Sequence, residues 1–196
     1  IESSPTGDVL PSKEQDVSVL FLDMEGYTRM CQRFAGDELN KLIEQYFYAV
    51  MDAVYENNGD VNETAGDGLM VLFLNEAAAV NAREAVRTAL GIRKKVGAIN
   101  RSCAGLTQPL NINMGNNSGP ALVGAVRFES YTGSRWTYTA RDNVTNVAAR
   151  LGALAVGGAI FVSKATAERV DEHYQLAYAG RFKLKNVSNE VEVYSL

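Results

Sequence analysis

The stretch VSVLFLDMEGYTRM, residues 17–30, combines an apolar run with an acid and a glycine turn. Residues 17–22 are too few for a helix, so their continuous apolar character predicts a buried strand. Asp23 closes that strand. It is followed by a short turn made of Glu25, Gly26, Tyr27 and Thr28. A carboxylate at the end of a buried strand needs compensation, and the rest of the chain indicates what supplies it.

Beyond this strand, the hydrophobic spacing predicts a helix, a hairpin, a second helix and a further strand. Residues 37–58 carry apolar side chains at helical spacing, namely Leu39, Leu42, Ile43, Tyr46, Phe47, Val50, Met51 and Val54. Two extended segments then flank Gly66-Asp67-Gly68, a composition that suits a tight hairpin. A second helix is predicted over residues 76–99, and PLNINMG at 109–115 returns as a strand.

This order of elements predicts an α+β fold with a ferredoxin-like βαββαβ core, extended by the strands of the remaining third of the chain. In such a sheet the first strand lies between the third and the fourth, and it runs antiparallel to the third. The end of the first strand, at Asp23, should therefore lie beside the hairpin tip that carries Asp67. Two acids that are far apart in sequence become neighbours.

Composition places the chain in the ordinary globular class and excludes some partners. Hydrophobic residues make up 46% and charged residues 21%, and the net charge of -4 argues against a nucleic-acid polymer as partner. Two cysteines provide no disulfide framework, so a reducing cytosol is the expected compartment of this chain. Residues 1–16 are expected to be a linker from a longer protein, whose upstream sensory or membrane-attached parts are missing, and residues 17–196 form one domain.

Paired carboxylates predict a metal site. Two such groups about 4 Å apart repel by about 4 kcal/mol at an effective dielectric of about 20, and a divalent cation removes this cost. Oxygen-only ligands beside an open turn suit Mg²⁺ or Mn²⁺, which share their remaining positions with water and phosphate. The amides of residues 25–28 could then cradle a phosphate. The alternative is that Asp23 caps a helix and Asp67 only serves its turn.

A helix predicted over residues 143–154 presents two polar side chains together. Its buried stripe consists of Val144, Val147, Ala148, Leu151 and Ala155. Asn146 and Arg150 lie one turn apart on the opposite face. Taken alone, such a pair is more often a solvated surface than a site.

Four motifs together resemble the class III nucleotidyl cyclase catalytic domain, from about residue 17 to 196. FLDMEGYT is similar to that family's first metal-binding motif, and ETAGDGLMVLF is similar to the second, with Asp67 at the hairpin tip. NVTNVAARL resembles its V-N-x-A-[AS]-R helix, and KLKNVSNEVEVYSL resembles its closing segment.

The resemblance implies a role for each matching residue. Asp23 and Asp67 would hold two divalent cations, Mg²⁺ or Mn²⁺. Asn146 would orient the ribose, Arg150 would stabilise the transition state, and Lys185 would contact the terminal phosphates. Lys183 lies on the same strand face as Lys185, so either lysine could be an ordinary surface charge. The resemblance also implies a head-to-tail homodimer in which one chain supplies the metal acids and the other supplies the remaining groups.

The purine is predicted from two positions. Family adenylate cyclases usually carry lysine four residues before the second metal acid, and guanylate cyclases carry glutamate; here the residue is Glu63. Ionised glutamate only accepts hydrogen bonds, so it fits the ring N–H and amino group of guanine. At the second position, Thr139, family guanylate cyclases commonly carry cysteine and bacterial adenylate cyclases carry aspartate or threonine, so the two positions disagree. A threonine hydroxyl both donates and accepts, so it tolerates either purine and leaves Glu63 to decide. GTP is therefore favoured over ATP.

Other functions remain as alternatives. One is an adenylate cyclase, and another is a catalytically silent module that binds nucleotide or dimerises within a signalling protein. A palm-type polymerase or diguanylate cyclase also places two acids on a ferredoxin-like sheet, but its tandem acidic hairpin is absent. Asp142, where the family often has glycine, is best explained as the N-cap of the helix that follows it.

Overall fold

A computed structural model describes residues 12–27, 36–63, 68–102, 109–130, 133–141, 143–170 and 172–196. The strands in these ranges are β1 (Lys13–Met24), β2 (Asp60–Glu63), β3 (Leu69–Phe73), β4 (Ile112–Ser130), β5 (Gly133–Arg141), β6 (Ile160–Ser163), β7 (Ala177–Phe182) and β8 (Val191–Ser195). The helices are α1 (Gly36–Tyr55), α2 (Ala78–Ser102), α3 (Asn143–Leu154) and α4 (Lys164–Val170).

The strands form one sheet in the order β2-β3-β1-β4-β6-β8-β7, with β5 paired to the outer half of β4. β1 lies between β3 and β4 and is antiparallel to both, which confirms the predicted ferredoxin-like core. β6 is parallel to β4 and carries the sheet onward to β8 and β7. The predicted extension of the core by further strands is therefore confirmed as well.

β1 begins four residues earlier than its apolar run suggests. Lys13 pairs with Val123 and the ladder continues to Met24 opposite Ile112. Residues 13–16 therefore belong to the sheet, although their polar side chains indicate a linker. Backbone pairing does not depend on side-chain polarity, and Asp16 gains its own partner, because both of its carboxylate oxygens accept hydrogen bonds of 2.7 Å from the Arg169 guanidinium.

Helices cover both faces of the sheet, and the alternation along β1 separates the two cores. Leu20, Leu22 and Met24 pack into the larger core with α1 and α2. Val17 and Val19 point to the other face, where they meet side chains of α3. The sheet is therefore buried on both sides at β1, which explains why residues 19–22 are apolar on both faces of the strand.

The three long helices match their predicted extents, but α1 buries only part of its apolar surface. The predicted stripe of α3 is fully buried, from Val144 to Ala155. On α1, a single face containing Tyr46 and Val50 is buried, whereas Phe47 is 40% exposed and Met51 is 45% exposed. Apolar residues surround more of this helix than one sheet face can cover.

α3 lies unusually close to the sheet because glycines stand at the contact. A Cβ built on Gly115 of β4 would fall well inside contact distance of the backbone of Gly152 and Ala148 in α3. Gly152 in turn lies against Phe21 of β1. The distance between α3 and the strands β1 and β4 is therefore limited by contact between backbone atoms. Across the described ranges, no helix combines the length and apolar character needed to cross a membrane.

Candidate active site

Asp23 lies at the end of β1, one residue before the strand stops, and it is partly buried. It shares the parity of Val17 and Val19, so its side chain is on the face of the sheet that α3 covers. Its Cα partner on β4 is Asn113. Because directly opposed residues of an antiparallel pair project to the same face, Asn113 is the immediate neighbour of Asp23.

The register of β2 and β3 places one end of each strand level with the end of β1. Leu22 pairs with Leu69 of β3, and Leu69 also pairs with Glu63 of β2. The residues between Glu63 and Leu69 therefore connect two strands at the level where β1 ends. Asp67 itself lies outside the described residues, so its convergence with Asp23 stays a prediction.

The turn after β1 is held by a hydrogen bond to the residue that precedes β4. Gly26 adopts a φ of 76°, and the Tyr27 side chain packs against the larger core. The Glu25 amide donates to the Asn111 carbonyl over 2.9 Å, so this amide is already engaged and the predicted phosphate cradle depends on the residues after it. Thr28 lies outside the described part of the chain.

Asn146 and Arg150 lie one turn apart on α3, and both side chains are partly buried. The Arg150 Nε is buried, and among the described residues it has no hydrogen-bond partner. A buried guanidinium nitrogen of this kind has an unsatisfied capacity to bind an anion. The Asn146 amide donates to the Asn186 carbonyl over 3.4 Å, which is a weak contact.

Lys185 lies in a turn, not on a strand. β7 ends at Phe182, and Lys185 and Asn186 form the exposed turn that precedes β8, with Asn186 at a φ of 63°. The prediction of a strand through these lysines is therefore wrong, because the alternating pattern continues past the point where pairing with β8 stops. The Lys183 Nζ donates to the Ser188 carbonyl over 2.5 Å, so this lysine closes the loop locally.

Apolar anchors hold the lysine turn against α3. Leu184 and Val187, which flank the turn, are buried with Val147 and Leu151 of the helix. This packing brings Lys185 and Asn146 into one neighbourhood and leaves the lysine exposed. Three of the predicted site residues, Asn146, Arg150 and Lys185, are thus presented by one packed unit.

The two predicted base-reading positions are on strands that approach each other. Glu63 ends β2, and Thr139 lies in β5 opposite Gly124. β2 and β5 are not neighbours in the sheet, yet their Cα atoms come within 8 Å. The side chains of Glu63 and Thr139 lie outside the description, so which purine they fit is not decided by these contacts.

Sequence reasoning missed Asn113 and the loop that follows α3. Asn113 is 7% exposed, and its amide joins Glu25 to Gly158. The sequence shows an asparagine on the strand predicted at 109–115. Its pairing with Asp23 depends on the register of β1 and β4, which the sequence does not reveal. Among the described residues, no group of three or more His, Cys, Asp or Glu side chains could hold a metal, so Asp23 and Asp67 remain the predicted ligands.

Comparisons with known proteins identify the family of this chain and its fold. Residues 9–196 match the family model described as the adenylate and guanylate cyclase catalytic domain. Adenylate cyclase 1 of Rhizobium meliloti (strain 1021) is 24% identical over 187 residues, covering 93% of this chain. The match spans only 27% of that relative's length.

Solved structures share the whole fold. The adenylyl cyclase CyaB from P. aeruginosa superposes with a TM-score of 0.85 at 26% identity, covering 95% of each chain. The guanylyl cyclase Cya2 superposes with a TM-score of 0.79 at 25% identity, covering 95% of this chain and 93% of that one.

Proposed function

The chain belongs to the adenylate and guanylate cyclase catalytic domain family, and on this basis we propose that it converts a purine nucleoside triphosphate into a 3′,5′-cyclic nucleotide and pyrophosphate. The ribose 3′-hydroxyl attacks the α-phosphate of the same molecule, and pyrophosphate leaves. One observation supports this reaction more than any other. Asp23 faces the side of the sheet that α3 covers, and the same helix presents a buried Arg150 Nε without a partner among the described residues.

The donor chemistry at the end of β1 fits a hard divalent cation. Asp23 offers carboxylate oxygens beside an open turn, and Asp67 is proposed as its partner from the hairpin. When bound there, two Mg²⁺ or Mn²⁺ ions would supply charge neutralisation on the phosphates and acidify the attacking hydroxyl.

The remaining residues bind and orient the nucleotide. Arg150 stabilises the negative charge that develops at the α-phosphate, and its position on a packed helix keeps it pre-organised. Asn146 orients the ribose so that the 3′-hydroxyl is in line with the leaving group. Lys185, exposed on its anchored turn, pairs with the terminal phosphates.

GTP is the proposed substrate, and ATP is the second candidate. Glu63 supports GTP, because a carboxylate accepts from both guanine donors but faces a lone pair on adenine. The relatives divide between the two substrates, since CyaB and the Rhizobium protein are adenylate cyclases and Cya2 is a guanylyl cyclase. Thr139 is compatible with either base.

The direct test is an assay of the purified chain with GTP and ATP separately, in Mg²⁺ and in Mn²⁺. We expect cyclic nucleotide and pyrophosphate in equal amounts, with GTP turned over faster than ATP. Asp67→Ala should abolish product, whereas Glu44→Ala, an exposed acid on α1, should not. Absence of cyclic product from both nucleotides would contradict the proposal and favour a silent nucleotide-binding or dimerisation module.

A further inference from the structure

The loop that joins α3 to β6 contains a tight turn centred on Gly157 and Gly158. Their φ angles are 65° and 80°, and the Ala159 amide donates to the Val156 carbonyl over 3.2 Å. Positive φ at both central residues is the geometry of a type I′ turn, which favours glycine at both places. The turn directs the two glycine amides away from its own backbone.

Both glycine amides donate hydrogen bonds to side chains beside Asp23. The Gly157 amide donates to the Glu25 carboxylate over 2.8 Å, and the Gly158 amide donates to the side-chain Oδ1 of Asn113 over 3.0 Å. The Asn113 amide nitrogen closes the set by donating to the same Glu25 oxygen over 3.3 Å. We name Glu25, Asn113, Gly157 and Gly158 the turn clamp.

We propose that Glu25 is a positioning residue, which through the turn clamp fixes the segment around Asp23 relative to the loop that follows α3. This inference rests on the proposed function and differs from the amide contact that the sequence suggests for Glu25. Its carboxylate receives two donors from the protein, so its task is to accept hydrogen bonds within the chain. Asn113 is locked between Glu25 and Gly158 and stands directly opposite Asp23.

The turn clamp matters because it joins the two halves of the proposed site within one chain. One end is the turn after Asp23, and the other is the loop directly after the helix that carries Asn146 and Arg150. In a head-to-tail dimer, a displacement of the turn after Asp23 relative to the loop after α3 would occur in both chains and so affect both shared sites. Displacement of reacting groups by about 1 Å can cost about 100-fold in rate.

Two substitutions at Glu25 separate hydrogen-bond acceptance from charge. Glu25→Ala removes the acceptor, and we expect kcat to fall about 10- to 100-fold while the KM for GTP changes less than about threefold. Glu25→Gln keeps one acceptor oxygen and should recover kcat to within about threefold of the parent. Asn113→Ala, which breaks the other arm, should lower kcat as Glu25→Ala does, and Glu172→Ala, an exposed acid elsewhere, serves as the control.

Amide hydrogen exchange in the metal-free protein gives a second readout that does not depend on activity. The Gly157 amide should exchange at least about 10-fold faster in Glu25→Ala than in the parent and should be slow again in Glu25→Gln. Unchanged exchange in Glu25→Ala would overturn the inference even if the parent proves inactive. A Gln variant as impaired as Ala, with a raised Mg²⁺ requirement, would also overturn it, because the charge would then matter and not the hydrogen bonds.

Discussion

Glu63 is the residue on which the proposed purine preference depends. It ends β2 opposite Leu69, and β2 approaches β5, which carries Thr139. A carboxylate at this place accepts hydrogen bonds but donates none, and a lysine donates but does not accept. The exchange of one for the other should therefore reverse which base leaves a buried group unpaired.

For Glu63→Lys we expect the ratio of kcat/KM for GTP over ATP to fall by at least about 10-fold, because the mismatched base loses its polar partners. Steady-state rates with each nucleotide measure this ratio. Asp60→Lys is the matched control, since it makes the same change of charge on the same strand at an exposed position on the opposite face. An unchanged ratio in Glu63→Lys would show that the purine is read elsewhere.

At this scale the sequence indicates residue types better than their partners. A period of 3.6 residues is a local property, so the sequence alone predicts that Asn146 and Arg150 lie one turn apart on α3. The link from Glu25 to Gly157 spans 132 residues and depends on how β1, β4 and the α3 loop meet. No local pattern reveals such a contact, and for the same reason the sequence does not reveal that β7 ends before Lys183.

The packing of α3 on β4 is the contact between elements that most affects the site. Gly115 and Gly152 let the helix approach until backbone meets backbone, so the position of Arg150 is set from below. A methyl group at Gly115 has no space and must push the helix outward. We expect such a change to affect stability and catalysis together.

Gly115→Ala should lower the free energy of unfolding by about 1–3 kcal/mol, because overpacking displaces the α3 backbone. Urea unfolding checks this value. Gly91→Ala in α2 is the control, since a Cβ there would meet only Ala53 Cβ at 3.5 Å, an ordinary contact. Glycine inside a helix is unfavourable by about 0.5–1 kcal/mol relative to alanine, so Gly91→Ala should stabilise the protein. Equal effects of both variants would contradict the assigned packing.

The sequence predicts an element well where its apolar positions match the surface that is buried. It predicts an element less well where apolar positions exceed that surface. α3 matches its predicted range and buried stripe, because every apolar position of the stripe is covered by the sheet or by the turn that precedes β8. α1 has more apolar positions than its neighbours cover, so Phe47 and Met51 fit the predicted helical spacing but stay exposed. The early start of β1 was missed because a ladder accepts polar residues such as Lys13.

At the scale of the whole molecule, the site is proposed to be divided between two copies of this chain. The family resemblance implies a head-to-tail homodimer, in which each chain would complete the other's site. One chain would contribute Asp23 and Asp67, and its partner would contribute Glu63, Asn146, Arg150 and Lys185. A monomer should then be inactive.

Complementation between two inactive variants tests this arrangement most directly. Asp23→Ala and Arg150→Ala should each be inactive alone, and an equal mixture should regain about a quarter of parental activity, because half of the dimers are mixed and each has one intact site. A mixture of Asp23→Ala with Asp67→Ala should regain nothing, since both acids belong to the same half of the site. Failure of the first mixture to recover activity, with mixed dimers demonstrated, would contradict the shared site.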